Sequence, residues 1–224
     1  MKKDFIVNNK IDMSVYSAAL SLIEKSRYIL IITHVNPDAD SIASALALSS
    51  FLHENKIKHK VFNVSSDLPK NLDFIERFDK ITDQLPKFFD LAISVDCGTY
   101  PRLGITLDKD IPLINFDHHK SNNNYGVINI VDANKSSTAE IVYDFFKYNG
   151  LYITKTSATA HYVGIYADSL AFSLARCDEL TFDKEHLFCV SIEMKTADFE
   201  QMRNESRFGP SIQDQGGLTA KAAA

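Results

Sequence analysis

The sequence predicts an α/β fold, a mainly parallel β-sheet flanked by helices, and three observations carry that reading. Short apolar runs rich in β-branched residues alternate with stretches patterned as amphipathic helices. The runs read as strands buried on both faces, the habit of parallel sheets. Carboxylates or histidines follow several of these runs directly, where an open parallel sheet binds its ligands.

The elements follow in chain order. Val15, Ala18, Ala19, Leu22 and Ile23 repeat with helical period and predict a helix over Ser14 to Lys25. YILIIT, Tyr28 to Thr33, predicts a buried strand, and the Ala- and Leu-rich stretch from Ser41 to His53 a helix. Further strands are expected at Lys60 to Val64, at Leu91 to Val95 (LAISV) and at Pro112 to Phe116. Two helices close the series, near Ser137 to Tyr148 and near Ser157 to Tyr166. Ser137 and Glu140 stand at capping-box spacing, which supports a helix start there. Beyond about Glu179 the periodicity weakens, and FGPSIQDQGGLTAKAAA reads as a short irregular tail. The organisation expected is one domain over residues 1–178 and a tail over 179–224, either a natural short end or a truncated or altered remnant.

Composition narrows the function classes. With 45% hydrophobic and 24% charged residues the chain is ordinary globular material, and no apolar run approaches the length of a membrane span. MKKDFIVNNKIDM has a basic start without an apolar stretch behind it, so no signal peptide is expected. Cys97, Cys177 and Cys189 suggest neither a disulfide framework nor a zinc knuckle, and a cytoplasmic location fits them. The net charge of -5 excludes a global positive field for long nucleic acid, and a small phosphorylated substrate suits it better.

The candidate chemistry lies in four places. Directly after YILIIT come His34, Asn36, Asp38, Asp40 and Ser41; Asp38 and Asp40, two apart in an extended loop, would point to opposite sides. Asp96 follows LAISV. Asp117, His118 and His119 follow LINF. Asp168 shares a helical face with His161 and Ile165. A pair of divalent ions about 3.5–4 Å apart needs such a mixture: a bridging carboxylate, terminal ligands and open positions. Carboxylates and imidazoles together suit manganese, magnesium, iron or zinc rather than a thiolate-selected metal. Taken singly, each residue has a plainer reading. An Asp after a strand is usually a turn former or cap. His53, His59, His161 and His186 read as solvated or packing residues, and Cys97 as a small buried one. Lys56, Lys58, His59 and Lys60 read as a solvated edge. The coincidence of four clusters at four element ends carries the functional reading.

HVNPDADSIASALAL, SVDCG, NFDHHKSNNNYG and VGIYADS, in that order, resemble the four motifs of the DHH phosphoesterases over about residues 14–175. Within that superfamily the chain most resembles the bacterial bifunctional oligoribonuclease and phosphoadenosine phosphate (pAp) phosphatase family, through Ser121, Asn122 and VDANKSSTAEIVYDFF. The resemblance implies a DHH catalytic domain holding two divalent cations, manganese first and magnesium as an alternative. His34, Asp38 and Asp96 would bind one cation. Asp40, Asp96, His118 and Asp168 would bind the other, with Asp96 the bridge. Asp96, Asp117 and His119 would form the catalytic group, His119 facing the substrate and Asp117 orienting a metal-bound histidine. Ser121, Asn122, Ser136 and Ser137 would contact substrate, the last two beside a helix N-terminus that could offer N–H groups to a phosphate.

The activity implied is hydrolysis of short 5′-phosphorylated oligoribonucleotides, or of pAp, by a metal-bridging hydroxide. Two other readings stand beside it: a manganese-dependent inorganic pyrophosphatase, and a non-catalytic metal- and nucleotide-binding module or inactive fragment. Relatives of this kind carry a second, C-terminal substrate domain, and Gly216 and Gly217 do not reproduce its glycine-rich loop. The chain is therefore expected to lack a complete one.

Overall fold

A computed structural model describes residues 13–65 and 67–169. The expected tail, with Cys177, His186 and Cys189, lies outside the described residues, as does the basic N-terminal stretch. So does the proposed boundary at residue 178.

Six parallel strands form one sheet in the order β3-β2-β1-β4-β5-β6, with β1 at Ile29–Thr33, β2 at His59–Phe62, β3 at Ile81–Thr82, β4 at Leu91–Val95, β5 at Leu113–Asp117 and β6 at Ile128–Val131. Four helices accompany it: α1 (Ser14–Lys25), α2 (Ala39–Glu54), α3 (Thr138–Tyr148) and α4 (Lys155–Asp168). The α/β class read from the sequence is the fold observed. Among the described residues no helix is long and apolar enough to cross a membrane.

The central strands β1, β4 and β5 are buried along their whole length, and their alternate side chains feed two cores. Ile29, Ile31, Ile93, Val95, Ile114 and Phe116 face the helical layer, where α2 and α3 pack on the sheet and α4 packs on both of them. Leu30, Ile32, Phe62, Ala92 and Leu113 face the other way, under Cys97, Leu103 and the partly buried Tyr100, Ile105, Leu107 and Tyr125. This second cover comes from the β4–β5 and β5–β6 connections, which are irregular apart from a 3-10 turn at Tyr100–Leu103.

That arrangement positions the site. Strand order reverses between β1 and β4, neighbours in the sheet but far apart in sequence. From there the chain winds outward both ways, so the connections leaving β1 and β4 part company and open a crevice beyond the strand ends. His34 follows β1 and Asp96 follows β4, one on each side of it.

Several boundaries differ from the sequence reading. β3 and β6 were not anticipated; β3 has two residues, and the INIV of β6 lies inside a polar stretch. α2 starts at Ala39 because Asp38 caps it, its carboxylate accepting from the Ser41 N–H at 3.0 Å. α4 starts at Lys155 behind a capping box in which Thr154 and Ser157 bond reciprocally. His59 is neither solvated nor idle. Its Nδ1–H donates to the Ile57 carbonyl and its Nε2 lies 2.9 Å from the Ser49 hydroxyl, tying β2 to α2.

Candidate metal centre

Asp38 and Asp40 diverge by a different geometry from the extended loop expected of them. Asp38 is the N-cap of α2, extended in backbone and half exposed in side chain, while Asp40 already belongs to the helix's first turn and is buried. One carboxylate therefore faces the crevice and the other is carried into the interior. There Asp40 meets the start of α3: its Oδ2 accepts from the Thr138 N–H at 2.6 Å and its Oδ1 from the Ala139 N–H at 2.9 Å. The Ser44 hydroxyl donates to Oδ1 at 3.3 Å.

Asp96 occupies the centre. Its backbone is left-handed, with φ +56°, a region non-glycine residues seldom enter and Asp enters more readily than most. The strain aims its carboxylate back across the strand ends. Oδ2 lies 3.6 Å from His34 Nε2, and Oδ1 lies 3.6 Å from both His118 Nε2 and His119 Nδ1. The Thr138 hydroxyl donates to Oδ1 at 2.9 Å. His34 Nε2 is 3.6 Å from Asp38, and His118 Nε2 is 3.4 Å from Asp168, which the end of α4 supplies.

Among the described residues three groups of side chains could each hold a metal ion: His34, Asp38 and Asp96; Asp40, His118 and Asp168; and Asp96, His118 and His119. Ligands about 2.1 Å from a shared ion stand roughly 3.0–3.4 Å from each other, close to the separations above. The donors are all carboxylate and imidazole, and four chain segments deliver them. Charge argues the same way. Asp40 is fully enclosed, and burial with the nearby Asp96 and Asp168 charges drives its pKa well above the carboxylate range. Burial also raises Asp96, although His34, His118 and His119 act against it. Burial disfavours a charged His34, yet Asp38 and Asp96 outweigh that and lift it to about 9. Burial likewise opposes ionised Asp38, but His34 and the Ser41 N–H hold it at about 2. A pocket in which carboxylates repel one another this strongly is chemically suited to divalent cations.

The histidines are oriented from behind. His34 Nδ1 lies 2.8 Å from the Val35 carbonyl, leaving Nε2 for the crevice, and His118 Nδ1 faces the Lys135 carbonyl at 3.4 Å. Asp117 is fully buried and pairs with His119 at 2.7 Å, so the histidine it orients is the one expected to face substrate. That bond, before any other influence, raises the His119 pKa.

The residues expected to touch substrate are distributed differently. Ser136 and Ser137 are completely buried. Ser137 caps α3 by accepting from the Glu140 N–H, and the Ser136 N–H and hydroxyl both donate to the Glu140 carboxylate. With Thr138 and Ala139 bonded to Asp40, the first donors of α3 are occupied, and this helix start offers no phosphate cradle. Asn122 turns inward, its amide donating to Asn115 at 2.7 Å and to Asp117 at 2.5 Å. Ser121 stays exposed, its hydroxyl near Gly98. His161 is buried against Tyr143 and Phe146, a packing role within the helical layer.

Sequence reasoning passed over the supports. Asn115 donates to the Ser94 hydroxyl and to the Tyr125 phenol oxygen, and Tyr125 donates to the Cys97 carbonyl, a buried network behind Asp117. Polar residues inside the apolar runs LAISV and LINF were the available signal. Thr138 and Arg102 carried none.

The sequence pattern of the DHH family, N-terminal domain, matches residues 28–165, more than half of the chain. A bifunctional oligoribonuclease and PAP phosphatase NrnA of Thermus thermophilus is 31% identical over 166 residues, which are 73% of this chain and 49% of that protein. The protein of the same name in Bacillus subtilis is 28% identical over 160 residues, covering 68% of this chain and 50% of its own. The chain thus spans about half the length of these curated relatives. An exopolyphosphatase-related protein from Bacteroides fragilis shares the fold, with a TM-score of 0.76 at 22% identity over 89% of this chain and 63% of its own. The matched segment runs from the start of β1 almost to the end of α4 and contains all the centre's residues but Asp168. By that match the chain belongs to the DHH family, whose N-terminal domain residues 28–165 represent.

Proposed function

We propose that the chain is a metal-dependent phosphoesterase acting on short 5′-phosphorylated oligoribonucleotides, on nucleoside 3′,5′-bisphosphate, or on both. The observation that carries this reading is the convergence of Asp38, Asp40, Asp96 and Asp168 with His34 and His118 around one crevice at the reversal of strand order. The names of the relatives from Thermus thermophilus and Bacillus subtilis supply the substrate class.

His34, Asp38 and Asp96 would hold one divalent cation, manganese being the first candidate, and Asp40, Asp96, His118 and Asp168 a second. Such cations supply water activation and neutralisation of phosphate charge, so no protein nucleophile is required. Asp96 has an oxygen toward each group, which suits it to bridge. Asp117 fixes the His119 ring, and His119, a third exposed, would face the phosphate or the departing oxygen. Asn122 and Asn115 would hold Asp117 in register, a positioning role rather than substrate contact.

The test is mononucleotide release from a 5′-labelled RNA dinucleotide by the full chain with manganese, with pAp and pyrophosphate as parallel substrates. Turnover of the dinucleotide or pAp that drops roughly a hundredfold or more in Asp96→Asn is expected. A preference for pyrophosphate would replace this reading with a pyrophosphatase. Tight nucleotide binding without product would make the chain a binding module.

A further inference from the structure

One cation stands at the lip of this acidic centre, and the bonding of His34 leaves it without a counter-charge. Arg102, exposed on the 3-10 turn after β4, brings its Nη2 to 3.1 Å from His34 Nδ1. The same Nδ1 lies 2.8 Å from the Val35 carbonyl. A carbonyl only accepts, so Nδ1 carries the proton of that bond. A guanidinium only donates, and therefore finds no acceptor at Nδ1. Among the described residues no carboxylate pairs with Arg102, although several lie in the adjoining crevice.

The position is built, not incidental. The Val35 N–H donates to the Arg102 carbonyl at 2.8 Å, stitching the turn to the segment that carries His34. Gly104 ends the turn in left-handed conformation, and a Cβ there would meet Val64 Cγ1 at 2.6 Å and Val35 Cγ2 at 2.9 Å. The turn thus sits tight against the start of the crevice.

We propose that Arg102 is the anion-binding residue of the site, donating its guanidinium to non-bridging oxygens of the substrate's phosphate on the His34 side. The proposal rests on the phosphoesterase reading but is testable without turnover. A planar fork of donors matches two phosphate oxygens in a way that an ammonium cannot. The carbonyl that anchors the turn belongs to the backbone, so changing the side chain leaves the anchor in place.

The experiment compares the full chain with Arg102→Gln and Arg102→Lys, all loaded with manganese. Calorimetry measures manganese stoichiometry, then binding of inorganic phosphate and adenosine 5′-monophosphate; dinucleotide turnover is measured alongside. Loss of a charged hydrogen bond predicts affinity for both probes weakened about ten- to a hundredfold in Arg102→Gln. Arg102→Lys should recover part of it, with manganese stoichiometry and melting temperature unchanged in both. Where turnover is present, the loss appears in KM more than in kcat. Unchanged anion affinity in Arg102→Gln, loss of manganese in that variant, or no binding of either probe by the unsubstituted chain would each overturn the proposal. A chain that binds phosphate through Arg102 yet hydrolyses neither nucleotide would sink the phosphoesterase reading and leave Arg102 standing.

Discussion

Asp96 combines two costs that are worth separating by mutation. Its backbone sits at φ +56°, and its carboxylate is buried among other acids. Asn tolerates left-handed backbone at least as well as Asp, whereas Ala does not, at a cost of about 1–2 kcal/mol. Without metal, burial raises the Asp96 pKa, so folding works against its charge and removing that charge relieves the fold. Metal-free Asp96→Asn should therefore melt at or above the temperature of the unsubstituted chain, and Asp96→Ala below Asp96→Asn by about 1 kcal/mol. Both should lose turnover. Thermal denaturation with chelator present checks this, and equal melting of the two variants would remove the argument from backbone strain. A left-handed Asp cannot be read from LAISV followed by Asp; only the acid's place after a strand was legible.

At the scale of elements, the junction of α2, α3 and α4 decides where Asp40 and Asp168 stand. Gly164 makes that junction close: a Cβ there would lie 2.5 Å from Ala139 Cβ, 2.9 Å from Asp40 Oδ1 and 3.2 Å from Ala43 Cβ. None of these is the free end of a long side chain, so α4 would have to move. Helix propensity favours Gly164→Ala by about 1 kcal/mol, and overpacking opposes it by about 1–3 kcal/mol. The clash should win. The variant should lose up to about 2 kcal/mol of stability. It should also bind the cation of the Asp40, His118 and Asp168 group more weakly. Denaturant melts and manganese titration read the two effects separately, and a stabilised variant with unaltered manganese binding would refute the account. The helices themselves were largely legible, because α1 shows its periodicity and α3 its capping spacing in the sequence. The role of Asp40 as partner of the α3 N-terminus was not, since it joins residues about a hundred positions apart. Ser136 and Ser137, reasonable phosphate contacts by local pattern, instead bond to Glu140, Ser137 as the cap of α3.

Over the whole molecule, the sheet supplies the address and the acids supply the reason for metal. Strand class and the sites after β1, β4 and β5 follow from apolar runs and the residues just behind them. Strand order does not, because β1 pairs with β4 through hydrogen bonds that leave no local signature. It is that pairing which brings His34 and Asp96 to 3.6 Å. The consequence is a fold whose buried acids oppose one another's charge, and cations bound as proposed, to the native state alone, would raise stability by mass action. With both sites filled from free manganese at about a hundred times the dissociation constant, each site adds about 2.7 kcal/mol. For a chain of this size that corresponds to a rise in melting temperature of roughly 5–10 °C per site. The rise should reverse on chelation and shrink sharply in Asp96→Asn, whose position serves both groups, while Arg102→Gln should retain it in full. Two cations competing for one site would give about half the rise and a single binding step. An Asp96→Asn chain stabilised as much as the unsubstituted one would mean that the carboxylates around β1 and β4 are not where the metal binds.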